Sequence, residues 1–328
     1  MPSASERQLL ALITRGMGDG GVLLACDATL EGVLTATGMG YLAHADPSTL
    51  RLAPHEGAQP RLGEALVDVE TDYELASRVW RGFQAHVSRG CRRPSSQAAC
   101  PEGCAGGCGR HAALMAASDD PAMPEILHRY LRAGFDLGAA LRLHAADPDV
   151  AQALDLARSV SAECERMRQF ARFSHMADGL FLATIRPAAD VLPFVASYFT
   201  ARLGTERFCV IDPGHRVAAL HEAGGMTTLV ALRPSDAEEL ASRDDLASDE
   251  HYVRAMWKRL YDGLALPGRD RTHRGYDLRQ QYLPQRLWTL LPELDPRNDR
   301  PGPYVPARYA GGARQEASHP SETLPPDT

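Results

Sequence analysis

Apolar positions in this chain come either as short continuous runs or at helical spacing, and the two patterns predict different elements. Val22-Leu23-Leu24-Ala25-Cys26 is an uninterrupted apolar run of the kind a buried strand carries, and Asp27-Ala28-Thr29 behind it offers turn and N-cap chemistry. A helix from about Leu30 to Ala43 is expected to follow, and Pro47 to Pro60 reads as loop. Thr71-Asp72-Tyr73-Glu74 has capping-box spacing ahead of Leu75, Val79 and Phe83, which recur as one helix face. From Ser88 to Arg110 glycine, proline and cysteine displace any period, so the segment reads as an irregular insertion.

Helical spacing returns from Pro124 to Ala145, and Asp147-Pro148 supplies a cap with proline at the first helical position. The helix it opens carries Val150, Leu154, Ala157, Val160, Cys164, Met167 and Ala171 on one face. Asp178-Gly179 turns the chain into the strand Leu180 to Ile185, and a helix with Leu192, Val195, Phe199 and Leu203 inward comes next. Phe208 to Ile211 and Val217 to Leu220 are strands separated by Pro213-Gly214, as in a hairpin, and this pair is expected to join the earlier strands in one sheet. Ser235-Asp236-Ala237-Glu238 has capping-box spacing; Glu250 to Tyr261 reads as helix with Tyr252, Met256 and Leu260 on one face; Leu278 to Leu291 reads as a last helical piece. The sum is an α+β fold: a predominantly helical single domain over residues 21–294 with a small, mostly antiparallel sheet. A flexible start (1–20), the Cys/Gly-rich insertion (88–110) and a disordered tail (295–328) complete the expected plan.

Composition narrows the class. With 44% apolar and 23% charged residues in 328, the chain can bury a substantial core. Its apolar runs fall far short of the roughly 20 residues a membrane helix needs, and its first residues carry no basic cluster with an apolar stretch behind it, so a cytoplasmic location is expected. A net charge of -7 argues against a protein coated in positive charge, so any nucleic-acid contact must be local. Phosphate-loop, dinucleotide-binding, HExxH and GxSxG motifs are all missing, which removes support for the corresponding enzyme classes.

Two local patterns carry candidate chemistry. Cys91, Cys100, Cys104 and Cys108 place four soft donors on a glycine-rich segment able to wrap zinc or an iron-sulfur cluster, whereas Cys26, Cys164 and Cys209 sit among apolar neighbours and read as core. The alternative for the first four is an exposed loop that binds nothing. Between His251 and Trp288, Lys258, Arg271, Arg274 and Arg286 stand among further arginines, interleaved with Trp257, Tyr261, Tyr276, Tyr282 and Trp288, the mixture that phosphate contact and base stacking both use. The alternative there is an aromatic core stripe with arginines paired to acids elsewhere.

Several spaced fragments together resemble a family of uncharacterised bacterial proteins labelled as DNA metabolism proteins. They include Asp27-Ala28-Thr29-Leu30-Glu31-Gly32, Thr71-Asp72, Tyr130-Leu131-Arg132-Ala133-Gly134-Phe135, Arg172-Phe173, Ile211-Asp212 with His215-Arg216, and Trp257-Lys258. The resemblance spans about Val22 to Leu294 and rests on the order and spacing of the fragments. It implies DNA as a partner, together with a radical-SAM protein often encoded beside family members; some members are fused to a uracil-DNA-glycosylase-like domain. The cysteine-rich insertion departs from the family pattern. Polar residues of the matching fragments, Glu163, Arg166, Arg172, Arg202, Asp212 and Arg216, could converge on a phosphate or base edge, or form a buried ion-pair network. The functional expectation is an accessory or DNA-binding component of DNA repair or modification. The alternatives are an enzyme acting on DNA or a nucleobase through Glu163, Asp212 and His215, and an iron-sulfur electron carrier to the partner.

Overall fold

The structure, a computed structural model, describes residues 4–88, 105–263 and 284–294. Cys91, Cys100, Cys104, Arg271, Arg274 and the tail from residue 295 lie outside the described residues. The chain falls into two compact units, residues 1–165 with 188–191, and residues 166–187 with 192–328. Among the described residues no helix is long and apolar enough to cross a membrane.

The first unit is built around β1 (Val22–Cys26), whose five residues are all buried. Its neighbours β2 (Leu50–Pro54) and β3 (Ala65–Val69) both pair with it in parallel, giving the order β2-β1-β3. A strand apolar at every position needs cover on both faces, as parallel strands have, and this is why β1 belongs to a sheet of its own rather than to the single sheet expected. The sequence over β2 reads as loop, and that over β3 carries no expected element. β2 ends on Pro54, a residue tolerated at a sheet edge, and β3 alternates, with Val67 and Val69 buried but Leu66 46% exposed. Helix α1 (Ala4–Asp19), which buries Ile13, occupies the start expected to be flexible.

The remaining helices of this unit follow their sequence signals closely. α2 (Leu30–Leu42) is capped by Thr29, whose side chain accepts the N–H of Gly32. α3 (Tyr73–Val87) is capped by Asp72 rather than Thr71, with Asp72 Oδ1 accepting from Glu74 and Leu75. α4 (Ala105–Ala116) includes the end of the expected insertion. α5 (Met123–Leu137) stops at Gly138, whose φ of 56° lies in the left-handed region; a 3-10 turn over Gly138–Leu143 follows instead of helix to Ala145. Asp147 caps α6 (Pro148–Phe170) as expected, accepting from Asp149 and Val150.

Phe83 is the centre of an aromatic cluster in this unit, with ring centroids 5.9 Å from Trp80, 5.9 Å from Phe135 and 6.2 Å from Tyr130. Gly134 on α5 is what lets Phe83 lie against the helix, since a methyl group there would overlap the ring. Gly134→Ala is therefore expected to cost about 3 kcal/mol from overpacking, outweighing the roughly 1 kcal/mol helix-propensity gain. Gly107→Ala, where the added methyl meets nothing within 4 Å among the described residues outside its own helix backbone, should be neutral or slightly stabilising. Urea unfolding of the two variants checks the contrast; equal midpoints would show that Phe83 moves aside freely.

The second unit holds a five-stranded sheet in the order β4-β5-β6-β7-β8, from β4 (Ser174–His175), β5 (Phe181–Thr184), β6 (Phe208–Asp212), β7 (Val217–His221) and β8 (Thr227–Ala231). Only β5 and β6 are parallel; the other pairs are antiparallel, and the β6–β7 hairpin is the one expected. One face buries Met176, Leu182, Cys209 and Ile211 with Leu240 and Leu246 against them. On the other, Phe173 sits edge-on to Phe199 of α7 (Leu192–Leu203) at 5.5 Å and to Phe208 at 5.9 Å. Cover on both faces explains why all of β6 is buried. α8 (Pro234–Ala241) starts one turn position before the expected capping box, so Ser235 lies inside the helix, bonds Asp236, and caps nothing. In α9 (Glu250–Gly263) the expected inward face is half open: Met256 is 50% and Leu260 53% exposed, whereas Ala255 is buried. The final piece is 3-10, over Gln285–Leu290 and Pro292–Leu294. The class is α+β and predominantly helical, as expected, with two sheets instead of one.

Candidate functional site

The registers of the second sheet bring sequence-distant polar residues to one end of it. β5 leaves the sheet at Ile185, whose N–H donates to the carbonyl of Ile211, one residue before β6 ends at Asp212. β7 begins there, with Val217 opposite Asp212; β8 finishes there, with Ala231 opposite Val217; β4 starts there, with Ser174 opposite Leu182. Arg172, Arg186, Asp212, His215, Arg216 and Arg233 therefore belong to one end of the sheet. The C-terminal 3-10 pieces reach the same end: Arg286 Nε donates to the carbonyl of Arg186 at 3.0 Å, and Glu293 Oε1 accepts from Arg172 Nη2 at 2.9 Å. Lys258 Nζ donates to the Glu293 carbonyl at 3.2 Å. Carboxyl ends of parallel strands are where open α/β sheets place ligands, because main-chain groups and loops converge there.

Asp212 and His215 form a hydrogen-bonded unit at this end. The Asp212 carboxylate is fully buried; Oδ1 accepts from the N–H groups of Gly214 at 3.1 Å and His215 at 3.4 Å, and Oδ2 lies 2.6 Å from His215 Nδ1. A carboxylate can only accept, so Nδ1 carries the proton and the ring is fixed in the Nδ1–H or doubly protonated form. The turn that achieves this spans Pro213 to Arg216, with Arg216 at a φ of 56° and its carbonyl taken by the N–H of Leu232 at 2.7 Å. The imidazole is 15% exposed. Such a pair can hold a positive charge near a phosphate or relay a proton through the opposite ring nitrogen.

Residues 121–293 match a family model described as a domain of unknown function, DUF4130, and this is just over half of the chain. The chain belongs to the DUF4130 family. No curated protein and no solved structure matches it. The DUF4130 segment begins just ahead of α5 and ends on Glu293, so it contains both the Asp212–His215 turn and the Arg172–Glu293 pair. The resemblance read from the sequence begins at Val22, whereas β1 to β3 and α1 to α4 precede the DUF4130 match.

Within DUF4130 the expected basic residues divide by environment. Arg172 and Lys258 are committed to Glu293, and Arg254 to Glu250 at 2.9 Å and to Ser174. Arg216 and Arg286 are exposed at the sheet end, and so is Arg186, which is not among the expected residues and whose carbonyl Arg286 bonds. Its only signal is the Arg-Pro step that halts β5. Arg166 is half-buried on α6. Arg202 is exposed at the end of α7 and takes Tyr198 Oη at 3.4 Å; it lies toward the opposite end of the sheet, where His221 meets the Gly204 carbonyl. Glu163 belongs to the first unit, is 3% exposed, and accepts the N–H of Ala188 at 3.0 Å.

Of the four clustered cysteines only Cys108 is described. It is 7% exposed on α4 and hydrogen-bonds Tyr130. Among the described residues no group of three or more His, Cys, Asp or Glu side chains is placed to hold a metal ion. Cys26, Cys164 and Cys209 are buried as expected. Burial pushes the Cys26 thiol up to about 12 and the Cys209 thiol to about 11, so both stay inert and protonated.

Proposed function

We propose that this DUF4130 protein is an accessory, DNA-binding component of DNA repair or modification, working with a radical-SAM protein, and that the Asp212 end of the second sheet is its phosphate-contacting surface. The observation that carries the reading is the presence of exposed Arg186, Arg216 and Arg286 at the end of the sheet that carries Asp212 and His215, in a chain whose net charge is -7. A local cationic surface on an acidic protein is the form that specific phosphate contact takes, because general attraction is suppressed. The DNA context and the radical-SAM partner come from the family resemblance.

Binding of a fluorescein-labelled duplex, followed by anisotropy over a salt series, tests it. Affinity should fall linearly in the log-log plot. Arg216→Ala and Arg286→Ala should each weaken binding regardless of DNA sequence, and each should reduce the salt slope by about 0.9. An unchanged slope in the double variant would remove this end of the sheet from the interface. One observation favours a second reading: the buried carboxylate 2.6 Å from the imidazole is also the arrangement of a proton-transferring pair. Product formation on DNA or a nucleobase that disappears in a folded Asp212→Asn variant would move the protein to the enzymes.

A further inference from the structure

A cavity of about 590 Å³ opens in the first unit, lined by none of the residues assigned to the phosphate-contacting surface, and its size is that of a small-molecule site. One wall is a single face of α5: Glu125, His128, Arg129, Arg132 and Asp136 recur at helical spacing, with Arg51 contributed by β2. The opposite face of α5, through Ile126, Leu127, Tyr130 and Leu131, is buried in the core. A helix that is firmly anchored on one side thus lines the cavity with charge on the other.

His128 is the anomaly in that wall. It is 2% exposed, its Nδ1 is 2.9 Å from Thr37 Oγ1, and its Nε2 is buried with no hydrogen-bond partner among the described residues. Thr37 is itself fully buried, and donating its hydroxyl to Nδ1 satisfies both groups at once. That assignment leaves Nε2 as an N–H donor in need of an acceptor oxygen. Arg132, one turn further along α5, has no carboxylate within salt-bridge distance among the described residues and rests on the Tyr41 ring at 4.9 Å. The neighbouring acids are largely committed. Glu125 accepts from the N–H of Leu52 at 2.7 Å and from Arg129 at 2.8 Å, Asp149 pairs with Arg129 at 3.1 Å, and Arg51 is held by Glu64 at 2.9 Å. What is left to a ligand is a neutral N–H donor and a guanidinium at one end, and the exposed Asp136 one turn further along the helix.

We infer that this cavity binds a small polar metabolite that presents a carboxylate or phosphate oxygen to His128 and Arg132, and hydroxyl or amino donors toward Asp136. The site is independent of the DNA-binding surface. Isothermal titration of the full chain in phosphate-free neutral buffer tests it with inorganic phosphate, ribose 5-phosphate and serine as probes. Binding of the two phosphate probes identifies a phosphate ligand, and binding of serine identifies a carboxylate with an amine. Arg132→Gln, at a half-buried position without an ion pair, should weaken the binding probe about tenfold. The Nε2–H resonance of His128 should shift on ligand addition in the unaltered chain. Absence of heat from all three probes, or binding within twofold of the original in Arg132→Gln, overturns the inference.

Discussion

Arg172→Ala is expected to lower the unfolding free energy of the second unit by about 3–5 kcal/mol, the cost of stranding a buried charge. Glu293 is only 5% exposed, and its carboxylate is held by the Arg172 guanidinium 2.9 Å away, while Lys258 donates to the Glu293 carbonyl. The pair is imperfectly satisfied even when intact: Arg172 Nε and Glu293 Oε2 are both buried without hydrogen-bond partners among the described residues. Desolvation therefore offsets much of the mutual attraction. Replacing both partners with apolar residues, as Arg172→Met with Glu293→Leu, should recover most of what the single variant loses. Urea unfolding of the unaltered chain, Arg172→Met, Glu293→Leu and the double variant gives the coupling. A single-variant loss below about 1 kcal/mol, or no recovery in the double variant, would mean that water reaches the carboxylate and that the pair is a surface one.

The same pair bears on function. Arg172 was one of the arginines that the sequence offered for nucleic acid, and its ion pair makes it a residue that ties the last 3-10 piece to the sheet end. A loss of DNA affinity in Arg172→Ala would then report a displaced 285–294 segment carrying Arg286, rather than a lost phosphate contact. Comparison with Arg286→Ala separates the two. Only the exposed arginine should leave stability untouched.

What could be read from the sequence follows from how strongly each element is buried. β1, β6 and the α7 stripe are covered on all sides or along a full face, and their apolar patterns fix them almost to the residue. β2, β3 and β8 are edge strands, where half the positions face outward and even Pro54 is tolerated, so little in their composition separates them from loop. The separation of β1 into a sheet of its own was readable in principle from its unbroken apolar run. The Asp212–His215 turn was visible as Asp-Pro-Gly-His behind a buried strand, but the arrival of Arg286 beside Arg186 depends on pairing across 100 residues, which no local pattern encodes. The charged face of α5 was fully legible as Glu125, His128, Arg129, Arg132 and Asp136. It reads as an ordinary solvated helix side until β2 and the Asp147 turn are seen to wall it in.

Acid should expose the unusual state of His128. Burial first, and then the charges of Arg132 and Arg129, hold its pKa down from 6.5 to about 3. Thr37 faces its Nδ1 from α2, while Arg51 from β2 and Glu125, Asp136 and Asp149 line the same cavity, so no carboxylate is bonded to the ring to oppose the shift. A histidine depressed in the folded state binds its proton in the unfolded chain first. The stability that the neutral ring contributes is thus complete above pH 6.5 and is lost as the pH falls from 6.5 toward 3, at up to about 1.4 kcal/mol per pH unit. His128→Asn keeps a polar group opposite Thr37 but cannot titrate, so it should be less stable than the unaltered chain at pH 7 and should approach it as the pH drops. Carboxylates such as Asp46 and Asp178, held below their usual range by local hydrogen bonds, also drain stability in acid, but they do so equally in both proteins and cancel in the difference. Urea midpoints measured for the pair between pH 7 and pH 4.5 decide the matter. Parallel curves would show that His128 takes up its proton without disturbing the fold, and hence that the α5 wall is wetter than its burial implies; converging curves would fix the ring as neutral, and so able to offer its Nε2 proton to a ligand oxygen at physiological pH.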